Sequence, residues 1–371
     1  MTNTFLLSVA EDPSPIASEA FRRLANDVGA AGGGWDSRQA ALVADDLAHH
    51  VRHVASAAAM DDEKSLADYA AWVEVLCATL GFRQKSMAAA MRCLQQSALS
   101  AAEMPPPAGY GASECDAALL AGWFAKAAEM LDRPLGESAN PYLKTELHSN
   151  PSASLFLNAL LEGKRDFALS IVNSDKVQGF GLEKMYERIF APSQRELGRL
   201  WHLGKISVAQ EHFVTAATQV ILSSLYEDFF KSQAGTGIER GLPASAKPKM
   251  IAACAQGELH EMGIRMIADT FCSRGWDTIF LGANLPEWEL IKEIKRIRPD
   301  FLSLSATIFP HVAWMERTIR EIQRMDAPPK IIVGGRLFVI SANLWRTVGA
   351  DATAADCEGA LAAAESLRAT A

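Results

Sequence analysis

Apolar residues recur every three or four positions over most of the first 230 residues, then give way to short unbroken apolar runs alternating with helical stretches. The helical period covers 37–58, 66–80, 85–99 and 114–131. Asp36 and Asp61 are placed as N-caps and Gly81 as a C-cap, while residues 1–16, with Pro13 and Pro15, read as an extended lead-in. A proline run at 105–107 breaks the pattern, and a Pro/Gly/Asn-containing linker leads to Pro151. Between 153 and 230, stripes such as Met185, Ile189 and Phe190 predict four helices, the number of a small bundle. Residues 235–245 are a linker by composition. Beyond them, strands at 250–254, 278–281, 301–305 and 331–333 alternate with helices, the last two at 342–348 and 358–367. That alternation predicts a parallel, doubly wound sheet. Three domains follow: an all-helical N-terminal domain over 1–145, a four-helix bundle over 146–235, and a Rossmann-like domain of flavodoxin type over 246–371.

Composition narrows the function. The chain of 371 residues carries a formal net charge of −8, which argues against direct nucleic-acid binding, since phosphate recognition needs a basic face. The six cysteines have no paired short spacings, so neither a disulfide framework nor a zinc site is indicated. No N-terminal signal pattern and no run of about 20 apolar residues occurs. A soluble, cytoplasmic protein that does not enter a membrane is expected.

The stretch 257–263 (Gly-Glu-Leu-His-Glu-Met-Gly) follows the first strand and precedes a helix. Loops at the carboxyl ends of strands are where open α/β sheets bind ligands. Glu258 is placed to hold one ring nitrogen of His260 and leave the other for a metal, and Gly263 lets a bulky group approach the backbone. A lone loop histidine is more often a surface or capping residue, so the downstream chain decides. Forty-one residues separate Gly263 from Ser305, in Ser305-Ala-Thr307, and 26 more separate Thr307 from Gly334-Gly335. Glu258, His260, Gly263, Ser305, Thr307, Gly334 and Gly335 at these spacings resemble the motif of cobalamin-binding domains that hold the cofactor base-off and histidine-on. The resemblance implies His260 as the lower axial cobalt ligand, with the nucleotide tail passing Gly263, Ser305 and Gly334. Ser303 is read as a sheet residue beneath that slot, and Glu261 and His311 as exposed helix-start residues.

Within the bundle, Trp201 is followed by nine residues and then Glu211-His212. Read locally, Trp201 is an ordinary core residue, and Glu211 and His212 form a solvated face after Ser207, a good cap. The spacing resembles the signature of CarH-type, adenosylcobalamin-dependent photoreceptors, including His202 directly after the tryptophan. That resemblance implies that Trp201 packs against the adenosyl group, Glu211 hydrogen-bonds it, His212 supports the contact, and His202 takes the upper cobalt position once light breaks the cobalt–carbon bond.

The chain departs from that family at its N-terminus, where no winged helix-turn-helix is evident and the transcription-factor role does not carry over. Its acidic, alanine-rich helices are instead similar in architecture to photocobilin-like proteins, which carry biliverdin as a second chromophore. Candidates to contact a bilin are His49, His50 and His53, with Arg52 and Arg83 for its propionates, Trp72, Tyr69 and Phe82 for stacking, and Cys77 and Cys93 for attachment. The plainer reading of the histidines is a solvent-facing stripe, and of the aromatics and cysteines, core.

The expected function is a cobalamin-binding light sensor without catalytic activity of its own. Its cap moves on photolysis and changes either a homo-oligomer or the interface with a partner not identifiable from sequence. A corrinoid methyl carrier for a methyltransferase and a cobalamin-binding antirepressor are the alternatives.

Overall fold

The structure, a computed structural model, describes residues 3–30, 34–81, 84–103, 112–133, 135–136, 139–233 and 247–369. Phe82, Arg83, the proline run and the 235–245 linker lie outside the described residues. The chain divides into two compact units: residues 1–141 with 308–315, and residues 142–307 with 316–371.

The first unit is built on helices Thr4–Glu11, Ser14–Ala30, Ser37–Ala59, Glu63–Leu80, Gln84–Leu99 and Glu114–Asp132. The expected lead-in is therefore wrong. Phe5, Leu6, Val9 and Ala10 form a buried helical stripe, and the Asn3 side chain accepts from the Phe5 and Leu6 amides to start it. The two prolines obscure this stripe because they fall at the junction with the second helix, where a first-turn proline is tolerated. Asp36 closes a capping box with Gln39, and Gly81 ends its helix at φ +74°. The N-cap of the helix that Gly81 ends is Asp62, whose carboxylate accepts from Ser65 N at 3.1 Å. Asp61 is instead the turn residue before it, at φ +49°.

In the second unit, four helical stretches form the cap: Pro151–Leu161, Arg165–Val177, a continuous run from Leu182 to His202, and Val208–Gln233. The third contains a π turn, Tyr186–Phe190. Pro192 has no amide to donate to the Arg188 carbonyl, and that carbonyl accepts from Asn150 Nδ2 at 2.7 Å instead. The same side chain caps the Pro151–Leu161 helix through Ala153 N. One asparagine thus serves the π turn and a helix start together.

Five parallel strands follow: β1 (Lys249–Cys254), β2 (Asp277–Gly282), β3 (Phe301–Ser305), β4 (Lys330–Gly334) and β5 (Ala352–Ala354), in the order β2-β1-β3-β4-β5. The strand order reverses between β1 and β3, so the crevice at their carboxyl ends is the switch point of a flavodoxin-like fold. β5 is the strand missing from the sequence reading. Three residues are too few to display a period of two, and only pairing with 332–334 makes them a strand. The helix expected at 342–348 is found as Leu344–Thr347, and a further short helix, Arg336–Ile340, precedes it.

The cap core, with Phe156, Tyr186, Phe190 and Leu222, continues into Met262 and Met266 of the helix Met262–Ser273. Tyr186 donates to Asp269 at 2.8 Å, and Arg274 bonds Glu183 through two nitrogens. Apolar packing and these bonds join cap to sheet within one unit.

Candidate cobalamin site

β1 ends at Cys254, and the chain turns through Gly257 at φ +84°. Asn284, itself at φ +52°, accepts from Gly257 N at 2.8 Å and donates its own amide to the Glu258 carbonyl. This pins the loop after β1 to the loop after β2. Glu258 is fully buried, and a buried carboxylate must be bonded on both oxygens to be tolerated. Oε1 accepts from His260 Nδ1 at 2.5 Å and from the His260 amide at 2.9 Å, while Oε2 accepts from Thr307 N at 2.5 Å. Glu258 therefore ties the loop after β1 to the loop after β3 and orients the His260 ring.

The ring itself is two-thirds exposed. With Nδ1–H committed to Glu258, the lone pair on Nε2 is the one presented to a ligand. The Glu258 hydrogen bond holds the imidazole above its ordinary value of 6.5, and the charge of Glu211 on the cap adds to the effect.

Beside His260 the glycines differ in what surrounds them. A Cβ built on Gly263 would meet no protein atom within 4 Å, so nothing in the protein's own packing calls for glycine there. Across the crevice, Ser305 pairs with Gly334. Gly335, at φ +100°, lies so close to the loop after β3 that a Cβ would stand 2.3 Å from the Ala306 carbonyl. Glycine is needed at 335 to let two loops meet, whereas at 263 the space beside it is open. A single oriented imidazole suits a cobalt ion whose equatorial positions are filled by a macrocycle, and the open slot suits that cofactor's tail. Ser303 lies buried one pleat below Ser305, as expected.

On the cap, Trp201 is 39% exposed and His202 only 2%. Their fates differ because the next turn closes the helix and buries His202 against Tyr142, whose ring stands edge-on at 5.4 Å. Glu211 begins the following helix, started by a capping box in which Ser207 and Gln210 exchange bonds. Its carboxylate accepts from Thr215 Oγ1 at 2.9 Å and pairs with His212 Nδ1 at 2.5 Å, and His212 points into solvent. Of the cap residues, Glu211 is the one whose charge acts on His260.

Several expectations need correction. Glu261 is not a free helix-start residue: it accepts from Gln219 on the cap at 3.1 Å and from Ala283 N after β2 at 3.1 Å, bracing cap and sheet. His311 is buried. In the helical unit, His49 is exposed, but His50 is buried, with Nδ1 2.5 Å from the Tyr69 hydroxyl. His53 stacks on Tyr69 at 4.1 Å, and Tyr69 on Trp72 at 6.3 Å. His53 keeps an edge at the surface, yet it is surrounded closely enough that burial pushes its imidazole down to about 3. These rings form a packed column, so a solvent-facing stripe describes only His49. Burial pushes the Cys77 thiol up to about 11 and raises that of Cys93, which leaves neither as a ready nucleophile. Tyr142, Asn284 and Arg336 carry no sequence signal that would have singled them out.

Residues 248–365 match the family described as B12 binding domain, and residues 154–226 match a second family with the same description. The chain is 26% identical over 154 residues to the HTH-type transcriptional repressor CarA of Myxococcus xanthus, covering 42% of this chain and 48% of that protein. It is 27% identical over 153 residues to the repressor CarH of the same organism, covering 41% and 47%. The dimethylamine corrinoid protein 2 of Methanosarcina acetivorans is 22% identical over 218 residues, covering 57% of this chain and 93% of the relative. The chain spans about half the length of the two repressors it matches. The sheet domain thus matches a B12 binding domain and the helical cap a second family of that description, and this half of the chain is similar to the repressors CarA and CarH.

Proposed function

We propose that the chain is a light sensor that uses adenosylcobalamin and acts as a regulator rather than an enzyme. The observation that carries the reading is that Trp201, His202, Glu211 and His260 belong to one compact unit, in which the charge of Glu211 acts on the His260 imidazole. When bound, the cofactor supplies a cobalt–carbon bond that visible light breaks. His260 would hold the cobalt through Nε2, with Glu258 fixing its tautomer. Trp201 offers its exposed indole to the adenosyl group, and Glu211 offers a hydrogen-bonding carboxylate beside it. His202 would supply a second imidazole for the cobalt. His202 lies buried, so reaching a ligand on the lower domain requires cap movement, and a moving cap can alter a homo-oligomer or a partner interface. Regulation through such contacts, without direct nucleic-acid binding, fits the net charge of −8.

The test is to load the protein with adenosylcobalamin in the dark, illuminate with green light, and follow absorbance and molar mass. The expected result is conversion to a bis-imidazole spectrum with a change in mass, lost in His202→Ala. An unchanged spectrum sinks the sensor reading. Turnover of a methyl group with a partner methyltransferase would favour the carrier reading, which the similarity to a dimethylamine corrinoid protein over 93% of its length keeps in play. Tight binding of hydroxocobalamin with no adenosyl dependence would favour the antirepressor. Biliverdin, as a second chromophore, would be offered the His53–Tyr69–Trp72 column, while burial keeps the Cys77 and Cys93 thiols protonated. Red absorbance on adding biliverdin tests for it.

A further inference from the structure

We infer that Tyr142 is the latch that keeps His202 withdrawn, and that Arg336 holds the latch shut. This rests on the reading above in assigning His202 a ligand role. Tyr142 lies in the short 3₁₀ turn Pro141–Leu143, on the strap of chain that leads into the first cap helix. Its ring meets His202 edge-on, with centroids 5.4 Å apart and planes at 83°, a favourable aromatic geometry. Arg336 donates from Nη2 to the Tyr142 hydroxyl at 2.7 Å, and its guanidinium lies 4.7 Å over the ring. Arg336 directly follows Gly334-Gly335, of which Gly334 is expected at the tail slot.

The strap is also pinned to the helix that carries His202. The Leu143 carbonyl accepts from Arg199 Nη1 at 3.4 Å, one turn before His202, and Arg195 pairs with Glu146 at 2.8 Å. Arg199 is in turn fixed by two bonds to Glu196. One tyrosine therefore touches the cap histidine and the glycine loop of the sheet, the two parts that must part company for His202 to leave its pocket. Departure of His202 removes the edge-on contact and unseats the strap, which turns a change at one imidazole into a change in the chain leading out of the cap.

The test uses the full chain and begins without cofactor. Diethylpyrocarbonate modification of His202, followed by peptide mass spectrometry, reads how often the ring is uncovered. Tyr142→Ala is expected to raise the rate about tenfold, and Tyr142→Phe and Arg336→Gln to give intermediate increases, since they keep the ring but lose the bond that holds it. After loading with adenosylcobalamin, the same variants should reach the bis-imidazole spectrum faster than the parent in the order Ala, then Phe. Should Tyr142→Ala fail to fold, Tyr142→Phe and Arg336→Gln carry the test. An unchanged modification rate in the folded variants overturns the latch. Faster modification in a protein whose parent gives no spectral change under light leaves the latch standing and overturns the light-sensing role of His202.

Discussion

Glu258 buries a charge in order to aim one imidazole, and glutamine in its place cannot accept from His260 and Thr307 together. Glu258→Gln is expected to weaken cobalamin binding by about 10- to 100-fold, the range seen when the partner of a ligating histidine is lost, as measured by spectral titration with hydroxocobalamin. The pH dependence has a definite sign. His260 binds a metal only when Nε2 is unprotonated, and the fold raises its pKa above 6.5. Binding should therefore fall as pH drops through that raised value, and in Glu258→Gln the fall should move to lower pH. In the cofactor-free protein the same pair stabilises the fold below about pH 6.5, an effect lost as pH rises through the raised value. Gly263→Leu separates packing from ligand space. No protein atom waits within 4 Å of its Cβ, so the cofactor-free melting temperature should hold or rise, leucine being a better helix former by about 0.8 kcal/mol. Cobalamin affinity should meanwhile fall by about tenfold or more, because the added side chain fills the slot.

At the scale of elements, the π turn before Trp201 and His202 is a consequence of Pro192, made tolerable by Asn150. Asn150→Ala leaves the Arg188 carbonyl without that donor and the Pro151–Leu161 helix without its cap. Two losses of this kind predict a destabilisation of about 2 to 4 kcal/mol, read as a lower urea midpoint with an unchanged slope. The π turn also sets the phase of the helix end that follows it. A regular helix over the same residues would turn Trp201 and His202 about 100° away from their present directions, one residue's rotation. Asn150→Ala is therefore also expected to slow the appearance of the bis-imidazole spectrum after light.

Across the whole molecule, the sensor reading depends on a cap that is held but not locked. The bonds from Tyr186 to Asp269, Glu183 to Arg274 and Gln219 to Glu261 cross between cap and sheet in the second unit, beside a continuous apolar core. Burial raises the Asp269 carboxyl, so the Tyr186 donor matters most to it. Tyr186→Phe should cost about 1 to 3 kcal/mol in unfolding experiments and speed the spectral and mass changes after illumination. A variant that loses stability without any kinetic change would show that the cap does not move as a body.

Hydrophobic period and motif spacing alone determined the four-helix cap, four of the five strands, and His260 with its glycines. These are local or strictly spaced features: a stripe at 3.6 residues, an apolar run with turn residues at its ends, a histidine two residues after its acid. The helix Thr4–Glu11 escaped because nearby prolines masked its period, and β5 because three residues show no period at all. The tertiary structure alone decided that Glu258 bonds the loop after β3, that Glu261 braces the cap, and that His202 is buried while its neighbour Trp201 is not. It also brought Tyr142 onto His202 and Arg336 onto Tyr142, 194 residues apart in sequence. Such pairs are set by how separate elements pack, and no period or spacing along the chain encodes which side chain will lie across from which.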